Sequence, residues 1–289
     1  MVREQANAKI NLFLDVLCRR DDGFHNIKSV MHSVSLADFL TVSASEAENT
    51  AIFVRSSSSE IPSGKDNLVY RAAEKYLSRF NKCASVEIFI EKHIPISAGL
   101  AGGSSDAAAT LRALNKIFRL ATREELLAIA LEIGSDVPYC LVGGTALCEG
   151  RGEILSALIS PQLSHVIIAI GNERVSTPEA YRALDILYSD GFPDNRQACD
   201  RLISSFAGSQ LEFDSLYNIF EEAVKLAEID EIKEIMIKNK AERALMSGSG
   251  PSVFGIFATR ADAENAKSAL SKSGFEAYYA TSASNGEHI

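Results

Sequence analysis

Apolar and polar positions alternate along residues 9–16, KINLFLDV. Ile10, Leu12, Leu14 and Val16 fall on one face and Lys9, Asn11, Phe13 and Asp15 on the other, the period of a half-buried strand. Lys9 and Asn11 thus project from one side, two residues apart. Residues 30–54 predict further short strands with a polar hairpin tip near Ser45–Asn49, and the serine-rich run 56–66 predicts a surface loop. Leu68, Val69, Ala72, Ala73, Tyr76, Leu77 and Phe80 follow helical spacing, which predicts an amphipathic helix over 67–80. The period returns to two at 86–91, VEIFIE, and after a glycine-rich loop a helix is predicted over about 105–117.

Thr122 and Glu125 form a capping box for a helix that ends near Gly134. Residues 165–170, HVIIAI, predict a buried strand, and Thr177 before Pro178 is a helix start. Helices are predicted over 178–189, 195–206, 215–228, 230–239 and 261–273. Strands near 243–247 and 252–258 flank a tight turn, and a last strand covers 275–281. Strands and helices do not alternate as in a doubly wound sheet, so the expected class is α+β with two domains. The boundary is placed near 155–162, around Pro161, giving domains 1–157 and 158–283 and a tail, 284–289.

Length and composition narrow the class. A chain of 289 residues suits about two domains, and 46% hydrophobic with 23% charged residues is ordinary for a globular protein. The net charge of −9 argues against a broad nucleic-acid surface, yet leaves open an anion held in a pocket of backbone N–H groups. Five cysteines, without CxxC spacing, form neither a complete disulfide set nor a structural zinc site, and reduced cytoplasmic thiols fit best. The five histidines show no HExxH pattern. The opening MVREQANAKINLFLDV mixes charges and is not expected to be a signal peptide; no window of 18 uninterrupted apolar residues occurs, so no membrane span is expected.

Residues 95–108, PISAGLAGGSSDAA, lie between a predicted strand and a predicted helix. Gly99, Gly102 and Gly103 let the backbone turn and approach a ligand closely, and Ser104 and Ser105 open the helix. A helix N-terminus presents unpaired N–H groups and about half a positive charge, so the segment predicts phosphate binding over a plain glycine-rich linker. It is neither a Walker A loop nor a G-x-G-x-x-G fingerprint.

This loop resembles that of the GHMP small-molecule kinases, and A-K-I-N-L-F-L (8–14) and M-S-G-S-G-P-S-V-F (246–254) match two further motifs of that superfamily in order. Together with D-G-F-H-N (22–26) and G-S-D-V-P-Y (134–139), the pattern is similar to the 4-diphosphocytidyl-2-C-methyl-D-erythritol kinase family, over about residues 9–257. The resemblance implies a two-domain GHMP fold, with mixed sheets, helices on one side and the active site between the domains. It implies transfer of the ATP γ-phosphoryl group to the 2-hydroxyl of the methylerythritol moiety, a step of non-mevalonate isoprenoid precursor biosynthesis. It also implies Mg²⁺, small-molecule partners only, and a monomer or weak homodimer.

Carried over residue by residue, the resemblance assigns catalysis to Lys9 and Asp136. An aspartate is a weak base, which phosphoryl transfer tolerates because its loose transition state chiefly needs positioning and charge stabilisation. A lysine about 4 Å away would add roughly 4 kcal/mol of attraction at an effective dielectric of 20. The ATP site takes Pro95, Ile96, Ser97, Ala98, Gly99, Leu100, Ala101, Gly102, Gly103, Ser104 and Ser105, with Asn67 and Lys92 near the nucleotide. The cytidylyl substrate takes Asn11, Phe24, His25, Thr177 and Tyr181, with His25 bonded to the cytosine and Phe24 and Tyr181 closing over its two faces. No dedicated metal ligands are assigned; Ser105 is the candidate hydroxyl, with phosphates and water supplying the rest.

Two departures stand out. Ala101 occupies a position where the family usually has glycine and GHMP kinases as a group vary; alanine costs about 1–2 kcal/mol if φ is positive there, and activity is expected to survive. L-Y-N-I-F-E (216–221) only loosely matches the family's N-D-L-E element, so Asn218 carries no assigned role. A GHMP kinase acting on homoserine, mevalonate or a sugar, and a binding protein without turnover, are the alternative readings.

Overall fold

In a computed structural model, which describes residues 1–174, 176–208 and 211–283, the alternating N-terminal segment forms one long strand. The expected tail, 284–289, lies outside the described residues. The first half of the chain runs β1 (Val2–Arg19), β2 (His25–Glu46), β3 (Ala51–Ser56), α1 (Leu68–Arg79), β4 (Ala84–Glu91), α2 (Gly102–Phe118), α3 (Arg123–Ile133), α4 (Val137–Val142), β5 (Thr145–Gly150) and β6 (Ile154–Ala157). The second half runs β7 (Val166–Ile170), α5 (Thr177–Leu187), α6 (Arg196–Ser205), β8 (Tyr217–Asn218), α7 (Phe220–Ala223), α8 (Ala227–Lys238), β9 (Ala241–Met246), β10 (Ser252–Phe257), α9 (Arg260–Lys272) and β11 (Glu276–Ala280).

The larger sheet has the order β3-β4-β2-β1-β8, with β5 beside β2 and β6 beside β5; the smaller has the order β11-β7-β10-β9. Helices α1 to α4 cover one face of the larger sheet, where Leu40, Val86, Ile88 and Ile90 meet Val69, Tyr76, Leu111 and Leu126. Helices α5, α8 and α9 cover the smaller sheet, where Ile167 and Val253 meet Leu184, Ile232 and Leu270. Between the sheets lies a third core of Ile10, Leu12, Phe13, Val166, Ile168 and Phe254. Full burial of each such side chain contributes about 1.5–3 kcal/mol. This is the α+β architecture that the sequence predicts.

Four expectations need correction. Residues 9–16 are not half-buried: all of them are buried, Ile10, Leu12 and Phe13 in the core between the sheets and Leu14 and Val16 in the core under the smaller sheet. Register shifts against β2, one of them between Asn11 and Phe13, also break the strict alternation, so Phe13 packs in the same core as Ile10 and Leu12. The several short strands expected over 30–54 are one continuous β2 followed by β3. Ser45–Asn49 is no hairpin tip, because β3 pairs in parallel with β4, which inserts antiparallel beside β2. The helix expected over 215–228 is replaced by β8 and the short α7: Tyr217 and Asn218 pair in parallel with Phe13 and Leu14 of β1. That pairing, made 200 residues away in sequence, overrides the local helical spacing. Helix α4 and strands β5 and β6 are additions that periodicity does not reveal.

Candidate active site

Two glycine-bearing turns meet at the junction of the sheets. Gly99 has φ +74°, and a Cβ there would lie 2.4 Å from the Ser247 carbonyl oxygen, so only glycine permits this approach. Beyond it Ala101 stands in the left-handed region at φ 57° and begins α2, whose first turn is Gly102, Gly103 and Ser104. These residues line a cavity of about 990 Å³, together with Pro95, Ile96, Ser97, Ala98 and Gly99. Two expected members do not face it. Leu100 is buried in the core between the sheets, and the Ser105 hydroxyl donates to the Asn7 carbonyl at 2.6 Å. The serine pair that opens the helix is therefore divided: helical rotation turns Ser104 to the cavity and Ser105 to β1.

Lys9 projects from β1 into the same cavity, nearly fully buried. Its Nζ donates to Asn11 Oδ1 at 2.7 Å and to the Gly99 carbonyl at 2.8 Å. Asn11 is fixed in turn, with Nδ2 donating to Ser29 Oγ at 2.8 Å and Oδ1 accepting from the Gly248 N–H at 3.0 Å. The cation is thus built into both glycine turns at once. Asp136 immediately precedes α4 and lines the cavity, and its side chain makes no capping bond. Lys9 and Asp136 do not form the close ion pair that the sequence suggests, because the Lys9 ammonium is drawn to Asn11 and Gly99.

Lys92 borders the cavity, but its ammonium is held between Asp38 and Asp106, with Asp106 Oδ2 at 2.8 Å. Burial works against the charge, but the two carboxylates outweigh it and hold the Lys92 pKa above its usual value. Burial raises the Asp106 pKa despite that ammonium, and Asp106 Oδ1 has no hydrogen-bond partner. Asn67 also borders the cavity; it caps α1 by accepting from the Val69 N–H at 2.8 Å and donates to the Pro62 carbonyl at 2.7 Å. Both ends of its amide are therefore committed within the cavity wall.

At the other end of the cavity stand Phe24, His25, Thr177 and Tyr181. Phe24 is 51% exposed, and the Arg151 guanidinium lies 4.7 Å above its ring. Tyr181 lies flat against His25, with ring centroids 4.5 Å apart and planes inclined by 18°. One Tyr181 face is therefore covered by His25, rather than standing open opposite Phe24. Burial, helped by the charge of Asp136, raises the Tyr181 pKa and keeps its phenol neutral. Thr177 shares a hydrogen bond of 2.9 Å with Ser249.

Some residues of this site escaped the sequence reading. Gly248 and Ser249 line the cavity, and the M-S-G-S-G-P-S-V-F motif is the sequence signal that covers them. Asn218 holds that turn, with Nδ2 donating to the Met246 and Gly248 carbonyls, both at 2.8 Å. Arg151 and Asp185 also line the cavity without a motif to announce them. Among the described residues no group of three or more His, Cys, Asp or Glu is placed to hold a metal ion, and no helix is long and apolar enough to cross a membrane.

Comparisons with known proteins point to one family. A family model for the GHMP kinases N terminal domain matches residues 67–144, and one for the GHMP kinases C terminal matches residues 201–276. The 4-diphosphocytidyl-2-C-methyl-D-erythritol kinase of Syntrophomonas wolfei is 43% identical over 262 residues, 88% of each chain. That of Caldicellulosiruptor saccharolyticus is 43% identical over 271 residues, 92% of this chain and 91% of that protein. A crystal structure of 4-(cytidine 5'-diphospho)-2C-methyl-D-erythritol kinase is 33% identical with a TM-score of 0.82, covering 97% of this chain and 98% of that one.

Proposed function

The chain belongs to the GHMP kinases and, within them, to the 4-diphosphocytidyl-2-C-methyl-D-erythritol kinase family, and from that membership we infer the reaction its cavity serves. It phosphorylates the 2-hydroxyl of 4-diphosphocytidyl-2-C-methyl-D-erythritol with ATP, in the non-mevalonate route to isoprenoid precursors. The observation that carries the reading is one continuous cavity, bordered by the phosphate loop and α2 N-terminus at one end and by Phe24, His25 and Tyr181 at the other. Lys9 and Asp136 line the same cavity.

In our reading the N–H groups of Gly102, Gly103 and Ser104 receive the phosphates, helped by the positive end of α2. Asp136, whose carboxylate makes no capping bond with α4, orients the acceptor hydroxyl and takes its proton late in the transfer. Lys9 is held by Asn11 and the Gly99 carbonyl, so its third N–H is left for the charge that develops on the transferred group. Phe24, His25, Thr177 and Tyr181 receive the cytidylyl group, and Asn67 and Lys92 shape the nucleotide side.

The donor set suits Mg²⁺ that arrives with ATP rather than a resident cage: the cavity-facing Ser104 hydroxyl, phosphate oxygens and water would hold it, because Ser105 is engaged by Asn7. When bound, the ion neutralises charge on the β- and γ-phosphates. Residues 1–157 then form the half that carries the phosphate loop and both catalytic residues, and 158–283 the half that closes the cavity. We place the enzyme in the cytoplasm, as a monomer or weak homodimer.

The test is ADP release from Mg-ATP with a panel of acceptors. Turnover with the cytidylyl substrate, and none with homoserine, mevalonate or a hexose, is expected. Turnover with one of the latter alone would retain the superfamily and overturn the substrate.

A further inference from the structure

His25 is fixed from three directions, and only one of its ring nitrogens is committed. Tyr181 lies flat on the imidazole at 4.5 Å, and Phe192 meets it edge-on at 6.1 Å with planes at 77°. Its Nε2 is 2.7 Å from Asp185 Oδ1. Asp185 sits one turn beyond Tyr181 on α5, so a single helix supplies both the stacking ring and the carboxylate. Its other oxygen faces Arg19 at 3.7 Å. His25 Nδ1 has no hydrogen-bond partner among the described residues, and His25 and Asp185 both line the cavity.

We propose that Asp185 is the positioning residue that sets base specificity, by holding the His25 proton on Nε2 and leaving Nδ1 as an acceptor toward the nucleobase. The proposal rests on the cytidylyl reading above. A carboxylate only accepts hydrogen bonds, so an imidazole with a single ring proton carries it on the nitrogen beside the carboxylate, here Nε2, and keeps a lone pair on Nδ1. A lone pair left without a partner at the cavity wall selects a donor. The exocyclic amino group of cytosine is such a donor; the corresponding carbonyl of uracil is an acceptor and would face the lone pair unpaired. A site that hydrogen-bonds a substrate group discriminates strongly against the analogue that lacks it. Without the carboxylate the ring is free to take either tautomer, and the discrimination falls.

The test combines kinetics with ¹⁵N NMR of the full-length protein. For Asp185→Ala, KM for the cytidylyl substrate is expected to rise about tenfold, with kcat and KM for ATP within roughly twofold of wild type. The kcat/KM preference for the cytidylyl substrate over its uridylyl analogue should fall about tenfold as well. Asp185→Asn keeps an acceptor oxygen and should retain most of the preference. In the wild type, the His25 ring signals, assigned by their loss in His25→Gln, should show the proton on Nε2, and in Asp185→Ala a mixture. A wild-type proton on Nδ1, an unchanged base preference in Asp185→Ala, or equal losses in the Ala and Asn variants would overturn the proposal. Wild-type protein that turns over no cytidylyl substrate would overturn the functional reading and the base-reading role with it, while the imidazole spectrum still judges the Asp185–His25 bond by itself.

Discussion

Lys9 Nζ donates to the Gly99 carbonyl at 2.8 Å, so the cation of an N-terminal strand is tied to the glycine-rich loop 90 residues later. Replacing it should therefore damage chemistry more than binding. Lys9→Met is expected to lower kcat by about 10²–10³, the usual loss when one donor to a developing anion is removed. Single-turnover kinetics beside ATP titration check this; equal losses in ATP affinity and kcat would assign Lys9 to binding alone.

The Asp136 side chain makes no capping bond with α4, so its removal should cost little stability. Asp136→Asn is expected to lose about 10²–10⁴ in kcat with an unchanged melting temperature and ATP affinity. Calorimetry with a coupled ADP assay separates the two effects. Full activity in this variant would take the carboxylate out of the mechanism.

The two serines that open α2 should behave differently. Ser104 faces the cavity, and Ser104→Ala is expected to raise KM for Mg-ATP several-fold at unchanged stability. Ser105 donates to the Asn7 carbonyl, so Ser105→Ala should cost about 1–2 kcal/mol of stability and leave KM for Mg-ATP near its original value. Denaturant unfolding and steady-state kinetics on the pair read both predictions.

Much of this arrangement is legible in the sequence because it is local. The glycines and the serine pair place the loop that leads into α2, and Thr122 with Glu125 starts α3 where the capping box predicts. What is not legible depends on distant partners. Nothing in L-Y-N-I-F-E announces that Tyr217 and Asn218 extend a sheet beside Phe13 and Leu14. Nor does S-S announce which hydroxyl meets Asn7, or a lone aspartate that His25 lies 2.7 Å away. The β1 bulges are equally silent, and they re-aim Phe13 against strict alternation.

Ala101 shows such a local cost directly. Its φ of 57° places a Cβ in the left-handed region, which costs about 1–2 kcal/mol. Ala101→Gly removes that strain while gaining some unfolded-state entropy, for a net stabilisation of about 0.5–1 kcal/mol. Thermal unfolding should show a rise of about 1–4 °C. A lower melting temperature would contradict the strain.

Asp15 on β1 is fully buried, with Oδ2 unpartnered, and burial pushes its carboxyl up to about 6 from 3.8. Between these values the folded chain keeps a proton that the unfolded chain has lost. Its stabilising contribution is thus complete below pH about 4 and declines as pH rises through about 6. Asp15→Asn lacks this dependence and should exceed the wild type at pH 7.5 by on the order of 2 kcal/mol, the two converging near pH 4. Urea unfolding across that range measures the difference; a flat difference would contradict the assignment.

Phosphorus NMR of the product of Mg-ATP and 4-diphosphocytidyl-2-C-methyl-D-erythritol tests the account most directly. The predicted spectrum gains one monoester signal, equal in amount to the ADP formed, with the cytidylyl diphosphate intact and the new ester on the 2-hydroxyl. ADP without a new ester, or an ester on another hydroxyl, would contradict it.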